Sequence, residues 1–197
     1  MNRPIVFSLS LLSLISSCGG PTGGNISASS TGPLRIFVTQ NLYNGNLGGK
    51  SGADTKCMND PNTPPTGTFK ALISTSSSRR ACNLADCTTT SVGRVDWPLR
   101  ADTTYYRLDQ TTVIGTTTTN AVFGFNLSAP IDDTYAEIWT GLSHEFAYDS
   151  TYNCLDWTDG SSGPAGRLGI SDAVSGDAVA DTTSNCDEQV PIYCVEQ

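Results

Sequence analysis

The sequence predicts an α+β domain that is held by disulfides and built mostly from short strands and long loops. Charged residues make up only 15% of the 197 residues, whereas glycine, serine and threonine are abundant. This composition is typical of strand-and-loop proteins and unlike that of a helical bundle. Hydrophobic residues make up 38%, enough for one core, and the length fits a single domain with a tail. The seven cysteines indicate an oxidising compartment.

The N-terminus has the organisation of an export signal. Arg3 supplies a positive charge, and an uninterrupted apolar run follows from Ile5 to Ile15. This run of about eleven residues is too short to cross a ~30 Å hydrocarbon core as a helix. Ile15–Cys18 resembles a relaxed lipobox of bacterial lipoproteins, so residues 1–17 are predicted to be a signal peptide and Cys18 to be lipidated. The alternative is an ordinary secretory signal that is cut nearby.

The segment after Cys18 is predicted to be a tether. Residues 19–33 contain no charge and no large aromatic side chain, so they cannot bury enough apolar area to offset the entropy of ordering. We therefore expect a lipidated flexible tether over residues 18–33 and a folded domain over residues 34–197. Several acyl chains on Cys18 would attach the protein stably to a membrane.

The first half of the domain begins with a strand and a short helix. Leu34–Thr39 is rich in β-branched and aromatic residues and predicts a strand. Ser51 is placed to cap a helix over Ala53–Met58, which Pro61 would end. Thr68–Ser74 alternates between apolar and polar residues and predicts the strand that leaves the helix.

The second half is predicted to contain several short strands between loops. The Ser/Thr-rich residues 75–120 favour loops and short strands. Ala121–Leu127 and Ala136–Leu142 are further strand candidates, and Leu155–Thr158 is a short one before a glycine-rich turn. Gln189–Glu196 predicts a terminal strand that carries a cysteine.

Six cysteines remain within the domain once Cys18 is lipidated. They are Cys57, Cys82, Cys87, Cys154, Cys186 and Cys194, and many pairings are possible. A local disulfide is the simplest interpretation for Cys82 and Cys87. The other four would tie both ends of the domain together if Cys57–Cys194 enclosed Cys154–Cys186. Zinc ligation is disfavoured because the sequence has no Cys-x-x-Cys pair and a single histidine.

Charge is distributed unevenly along the domain. Residues 34–107 contain nine basic and five acidic residues, whereas residues 108–197 contain one basic and fourteen acidic residues. The asymmetry predicts either a polarised surface that steers a partner or neutralisation when the two halves pack. The formal charge of the chain, −8, argues against nucleic-acid binding, which needs a basic stripe.

Several short motifs carry a family resemblance. They are Gly49–Cys57, Gly67–Ser74, Ile138–Gly141, Cys154–Thr158, Gly166–Gly169 and Ile192–Glu196. Together they resemble endostatin, the C-terminal domain of collagens XV and XVIII, over most of residues 36–196 and most weakly across 78–130. With the lipoprotein signal, the chain is similar to the leptospiral endostatin-like surface lipoproteins.

This resemblance implies a C-type-lectin-like fold, with a twisted, mostly antiparallel sheet, short helices and long loops. It also implies the nested disulfides, while the Cys82–Cys87 pair lies outside the family's four-cysteine pattern. Trp139 and Trp157 are expected to supply core area. Gly52 and Gly141 are expected where backbone approaches closely or φ is positive.

Calcium-dependent sugar binding, the first function of such a fold, is not expected here. The Glu-Pro-Asn, Gln-Pro-Asp and Trp-Asn-Asp tripeptides of C-type lectins are absent from the sequence. Trp157–Asp159 matches Trp-Asn-Asp only at its first and third residues. An oxygen site from Glu145, Asp149, Asp156 and Asp159 is the alternative. We therefore expect no metal and no cofactor.

Enzymatic activity is also not expected. No Gly-x-Ser-x-Gly elbow occurs, and the single histidine, His144, lies directly between Ser143 and Glu145. Sequence neighbours on a strand or turn give poor geometry for a catalytic triad. His144 is predicted to be an exposed loop residue.

The resemblance implies a binding module on the bacterial surface, anchored in the outer membrane through Cys18. It implies host partners such as laminin, complement factor H or plasminogen, with glycosaminoglycan as a further ligand. Arg79, Arg80, Arg94 and Arg100 are the predicted contacts, because guanidinium groups form charge-assisted bonds with acidic partners. The alternatives are a structural or periplasmic envelope lipoprotein without a host ligand, and a calcium- or glycan-binding lectin-like protein.

Overall fold

A computed structural model describes residues 33–197. The predicted signal peptide, the lipidation at Cys18 and all but the last residue of the predicted tether lie outside the described residues. No helix in the described part of the chain has the length and apolar character to cross a membrane.

Within residues 33–197, eight short strands form two sheets. The strands are β1 (Leu34–Val38), β2 (Phe69–Ala71), β3 (Thr104–Tyr106), β4 (Val113–Thr116), β5 (Glu137–Trp139), β6 (Ala165–Ile170), β7 (Thr182–Asn185) and β8 (Tyr193–Glu196). The larger sheet has the order β2-β8-β1-β3-β4, and the smaller has the order β5-β6-β7. Only the β1–β3 pairing in these sheets is parallel. The prediction of an α+β domain with mostly antiparallel strands is confirmed.

The helix α1 spans Gly49–Asn59 and begins earlier than predicted. Its N-cap is Gly48, which has a φ of 82°, so the predicted cap Ser51 lies inside the first turn. Gly52 is required there, because a Cβ at this position would lie 2.2 Å from the carbonyl oxygen of Leu47. Ala53 and Cys57 are the buried residues of the helix.

Two predicted strands are wrong. Residues 121–127 form bends with a single isolated bridge between Phe123 and Thr117, and Phe125 stacks on Phe146 at a ring-centroid distance of 5.5 Å. Cys154–Trp157 forms a single turn, α2, in which all four residues have positive φ. The Asn153 side chain accepts a hydrogen bond from Asp156 N–H across this turn.

Hydrophobic side chains pack on both faces of the larger sheet. Neighbouring residues of β1 contribute to different clusters, Ile36 to one and Phe37 to the other, as the two-residue period of a strand requires. Trp139 and Trp157 are fully buried in the Phe37 cluster, with ring centroids 5.9 Å apart. Their predicted core role is confirmed.

The six cysteines of the domain form three disulfides. Cys57–Cys194 joins α1 to β8, Cys154–Cys186 joins α2 to the end of β7, and Cys82–Cys87 closes a local loop. These are the nested and local pairs that the sequence suggested. The two long-range pairs fix α1 and α2 against the C-terminal part of the chain, so the loops between them start from constrained positions.

Candidate functional site

Arg79 lies inside the protein and cannot contact a partner. Its side chain is completely buried and donates hydrogen bonds to the carboxylates of Asp54 and Asp96. The prediction that Arg79 is an exposed contact residue is therefore wrong. The sequence around it is serine-rich and indicates a surface loop, and nothing in it reveals that Asp54 faces this loop.

The other three predicted contact arginines differ in how free they are. The half-buried Arg80 donates to the carbonyls of Gly93 and Ser76, and the half-buried Arg94 donates to the carbonyl of Asn120. Arg100 is exposed, and its side chain makes no hydrogen bond or ion pair within residues 33–197. The four arginines thus do not form one exposed basic patch.

The remaining cations of the domain are also paired with internal partners. The pairs are Lys50–Asp96, Lys70–Asp96, Arg35–Glu196, Arg107–Asp133 and Arg167–Asp149, and Lys56 lies over the Tyr43 ring. Most basic side chains of the domain are thus occupied by internal partners, some within residues 34–107 and some between residues 34–107 and 108–197. The carboxylates left on the surface therefore outnumber the free cations, and the exposed charge is mainly acidic.

A groove lies beside the second half of β1. The parallel pairing of β1 with β3 ends at Arg35 and Tyr106. The chain then turns away, since Arg107 N–H donates to Thr112 O within the β3–β4 hairpin. A cleft of about 340 Å³ fills the place where β3 would have continued. We call this cleft, which includes Val38, the β1 groove.

Three carboxylates surround the β1 groove. Asp109 stands at the tip of the β3–β4 hairpin, and Asp132 and Asp133 stand on the facing segment. Arg107 donates to Asp133 and to the carbonyl of Pro130, which holds the hairpin against that segment. Asp109 and Asp132 form no direct ion pair within the described residues, and Arg107, which also lines the groove, lies near both carboxylates.

The Asp109 carboxylate is held in its ionised form. Its oxygens accept hydrogen bonds from the Thr112 hydroxyl and from the N–H groups of Thr112 and Thr111. These bonds lower the pKa of Asp109 to about 2. The groove therefore keeps this negative charge throughout the physiological pH range.

The β1 groove continues into a second, more apolar cleft of about 230 Å³. The two share Val38, Asn62, Asp132 and Thr134, and the second adds Leu42 and Pro191 to its lining. Leu42 is 55% exposed and adds apolar surface to this second cleft. Together the clefts combine an apolar part with an acidic rim.

The alternative oxygen site for calcium does not form. Asp149 pairs with Arg167, Asp156 accepts from Ser76 N–H and its hydroxyl, and Asp159 accepts from Ser161 N–H. Within residues 33–197, no three His, Cys, Asp or Glu side chains come together as a possible metal site.

His144 is an exposed loop residue, as predicted. Its side chain is 54% exposed, and Nε2 lies 3.3 Å from Asp177. The Ser143 hydroxyl accepts hydrogen bonds from the N–H groups of Glu145 and Ala147, so it organises a turn. Ser143, His144 and Glu145 are not arranged as a triad.

A family model described as a protein of unknown function, DUF1554, matches residues 40–174. The chain belongs to this family. The DUF1554 match covers α1, the β3–β4 hairpin and the segment of the groove that carries Asp132 and Asp133, but it excludes β1. It also excludes Cys186 and Cys194, the partners of Cys154 and Cys57, so the folded unit extends beyond the matched residues. A search among curated proteins gives no match.

Proposed function

We propose that this protein is a non-enzymatic binding module with an acidic partner surface. The proposal rests on one observation. Nearly all lysine and arginine side chains of the domain are bound to partners within the domain, whereas the carboxylates of Asp109 and Asp132 on the β1 groove form no ion pair. A partner that supplies lysine or arginine would gain charge-assisted contacts, while a polyanion would be repelled. The proposed contact surface is therefore the β1 groove, and not the four arginines predicted from the sequence.

The scaffold supports this function through its rigidity. Strand β1 pairs with β8, which the Cys57–Cys194 disulfide joins to α1. Arg107 holds the β3–β4 hairpin against the segment that carries Asp132 and Asp133. A preformed surface loses little conformational entropy when a partner binds. We assign the domain to the C-type-lectin-like, endostatin-like class, supported by the mixed sheet order and the nested disulfides.

The domain is proposed to act on the bacterial surface. The lipobox-like Ile15–Cys18 and the uncharged residues after it support an outer-membrane anchor at Cys18 with a tether. Basic regions of host matrix or serum proteins, with laminin, complement factor H and plasminogen as candidates, are the proposed partners. Glycosaminoglycans become a less favourable ligand class, because they are polyanions.

The test compares two variants of the soluble fragment 33–197, which contains every described element and all three disulfides. One variant carries Asp109→Asn and Asp132→Asn, and the other carries Arg80→Ala and Arg100→Ala. Binding to laminin, factor H, plasminogen and heparin is measured at two salt concentrations, with and without calcium. We expect salt-sensitive protein binding that only the aspartate variant weakens. Binding that only the arginine variant weakens would contradict the proposal.

Surface display is tested separately in intact cells. Labelled palmitate should be incorporated into the full chain and should be lost in Cys18→Ala. External protease should remove the domain from intact cells. Protection from protease would instead favour a periplasmic envelope lipoprotein without a host ligand.

A further inference from the structure

We infer that the β1 groove binds an extended peptide segment that carries lysine or arginine, and that this segment pairs with β1 as an added strand. The inference rests on the proposed binding function and specifies the form of its ligand. It starts from the vacant position beside β1, where β3 has already ended at Tyr106.

The backbone of β1 presents hydrogen-bonding groups to this position. Thr39 N–H donates to Ile192 O on the other side of the strand, so the N–H and C=O of Val38 point toward the groove. The Val38 carbonyl already accepts from the Asn62 side-chain amide at 3.0 Å, so the Val38 N–H is the group that a ligand would use first. No neighbouring strand within residues 33–197 pairs with Val38 on this side. An exposed strand edge of this kind is a template for an extended chain.

The walls of the groove favour a ligand with alternating character. Successive side chains of an added strand point to opposite faces. A basic residue on one face can reach Asp109 or Asp132, and an apolar residue on the other can enter the cleft near Leu42 and Pro191. Charge complementarity thus selects a basic segment, and the strand edge selects an extended one.

The direct test uses a blocked seven-residue peptide of alternating lysine and valine as the probe. Its affinity for the fragment 33–197 is measured by fluorescence anisotropy, and exchange of the Val38 amide proton is followed by NMR. We expect binding that slows exchange at Val38. A peptide in which glutamate replaces lysine should not bind.

Two further peptides separate strand pairing from simple charge attraction. In each, the amide nitrogens of every second residue are methylated, in one peptide at the lysines and in the other at the valines. An added strand uses only one edge, so one methylated peptide should lose binding and the other should keep it. Equal binding of both, or binding without protection of Val38, would overturn the inference.

Two protein variants distinguish the carboxylates of the groove from exposed carboxylates elsewhere on the domain. Asp109→Asn with Asp132→Asn should weaken peptide binding about tenfold, as expected for the loss of two partly exposed charge pairs. The matched control, Asp102→Asn with Asp187→Asn, removes two exposed carboxylates that do not line the groove and should leave affinity unchanged. An equal loss in both variants would overturn the inference in favour of general electrostatic attraction.

The two proposals can fail independently. If the peptide binds as described but no matrix or serum protein does, the groove inference stands and the proposed host partner is wrong. If host proteins bind and neither the peptide nor the groove variants have an effect, the binding function stands and the groove inference is wrong.

Discussion

The Arg79 guanidinium donates hydrogen bonds of 2.6 and 2.8 Å to the two carboxylate oxygens of Asp54. Arg79 lies in the loop after β2, and Asp54 lies on α1, so the bidentate pair fixes the loop against the helix. The same guanidinium donates to Asp96 at 2.9 Å. The Arg79 side chain is completely buried, whereas the two carboxylates are each about a quarter exposed.

Replacing Arg79 should be strongly destabilising. Arg79→Ala would leave the carboxylates of Asp54 and Asp96 facing a cavity without their buried partner. We expect the free energy of unfolding to fall by about 3 kcal/mol, as for a broken buried ion pair. Urea denaturation measures this change. The exposed Arg100→Ala is the control and should change stability by less than about 0.5 kcal/mol; a similar loss in both variants would contradict the structural role of Arg79.

The stability of the domain should fall in acid because of Asp96. Burial raises the pKa of Asp96, but hydrogen bonds from Lys70, Lys50 and Arg79 outweigh this effect and hold it well below its usual range. An unfolded aspartate titrates at about 3.9, so the unfolded state takes up the proton first as the pH falls. The stabilisation from Asp96 is therefore present above about pH 4 and is lost progressively below it.

The measurement is the free energy of unfolding between neutral and acidic pH, for the wild-type domain and for Asp96→Asn. Asparagine tolerates the positive φ of this position, 40°. The difference in stability between the two proteins should shrink as the pH falls below about 4. A difference that does not depend on pH would show that the carboxylate charge of Asp96 does not stabilise the fold.

Local sequence patterns predicted the elements whose residues are selected mainly by burial or by close packing. The β-branched and aromatic run of Leu34–Thr39 became β1 because both of its faces are buried. The terminal strand with Cys194 formed for the same reason. Gly141 and Trp157 were identified as architectural, and they meet in the core: a Cβ on Gly141 would lie 2.7 Å from the indole.

Features that depend on distant partners escaped prediction. Arg79 became a core residue only because α1 presents Asp54 to its loop. Strand β6 was missed because its glycines weaken the strand signal, although Gly166 allows the Trp139 ring to approach its backbone. The β1 groove depends on where the β3–β4 hairpin turns away from β1, and no residue pattern in β1 reports that divergence.

The two kinds of disulfide should differ in their contribution to stability. Cys57–Cys194 spans 137 residues, whereas Cys82–Cys87 spans five. Loop-closure entropy predicts losses of about 5 and about 2 kcal/mol when the pairs are replaced by serine, before any change in native-state strain. Denaturant unfolding of the two double-serine variants measures the difference. A larger loss from the local pair would contradict this order.

Gly141 should not tolerate a side chain. Its φ is +64°, and an added Cβ would meet the Trp157 ring. We expect Gly141→Ala to destabilise the domain by about 3 kcal/mol, since both backbone strain and displacement of the buried indole contribute. Thermal unfolding followed by intrinsic tryptophan fluorescence measures the loss of stability. Gly124→Ala is the control, because a Cβ there meets no atom within 4 Å, and it should be nearly neutral.

The left-handed turn at α2 offers a stabilising substitution. Leu155 has a φ of 52° and a side chain that is 62% exposed, so it bears backbone strain and gains little from burial. Asparagine accepts left-handed backbone more readily than leucine does. Leu155→Asn should therefore raise the free energy of unfolding by about 1 kcal/mol. The matched control is Leu84→Asn, at a residue that is 55% exposed and does not have positive φ. A gain in the control as large as that in Leu155→Asn would mean that surface polarity, and not relief of the left-handed backbone, causes the stabilisation.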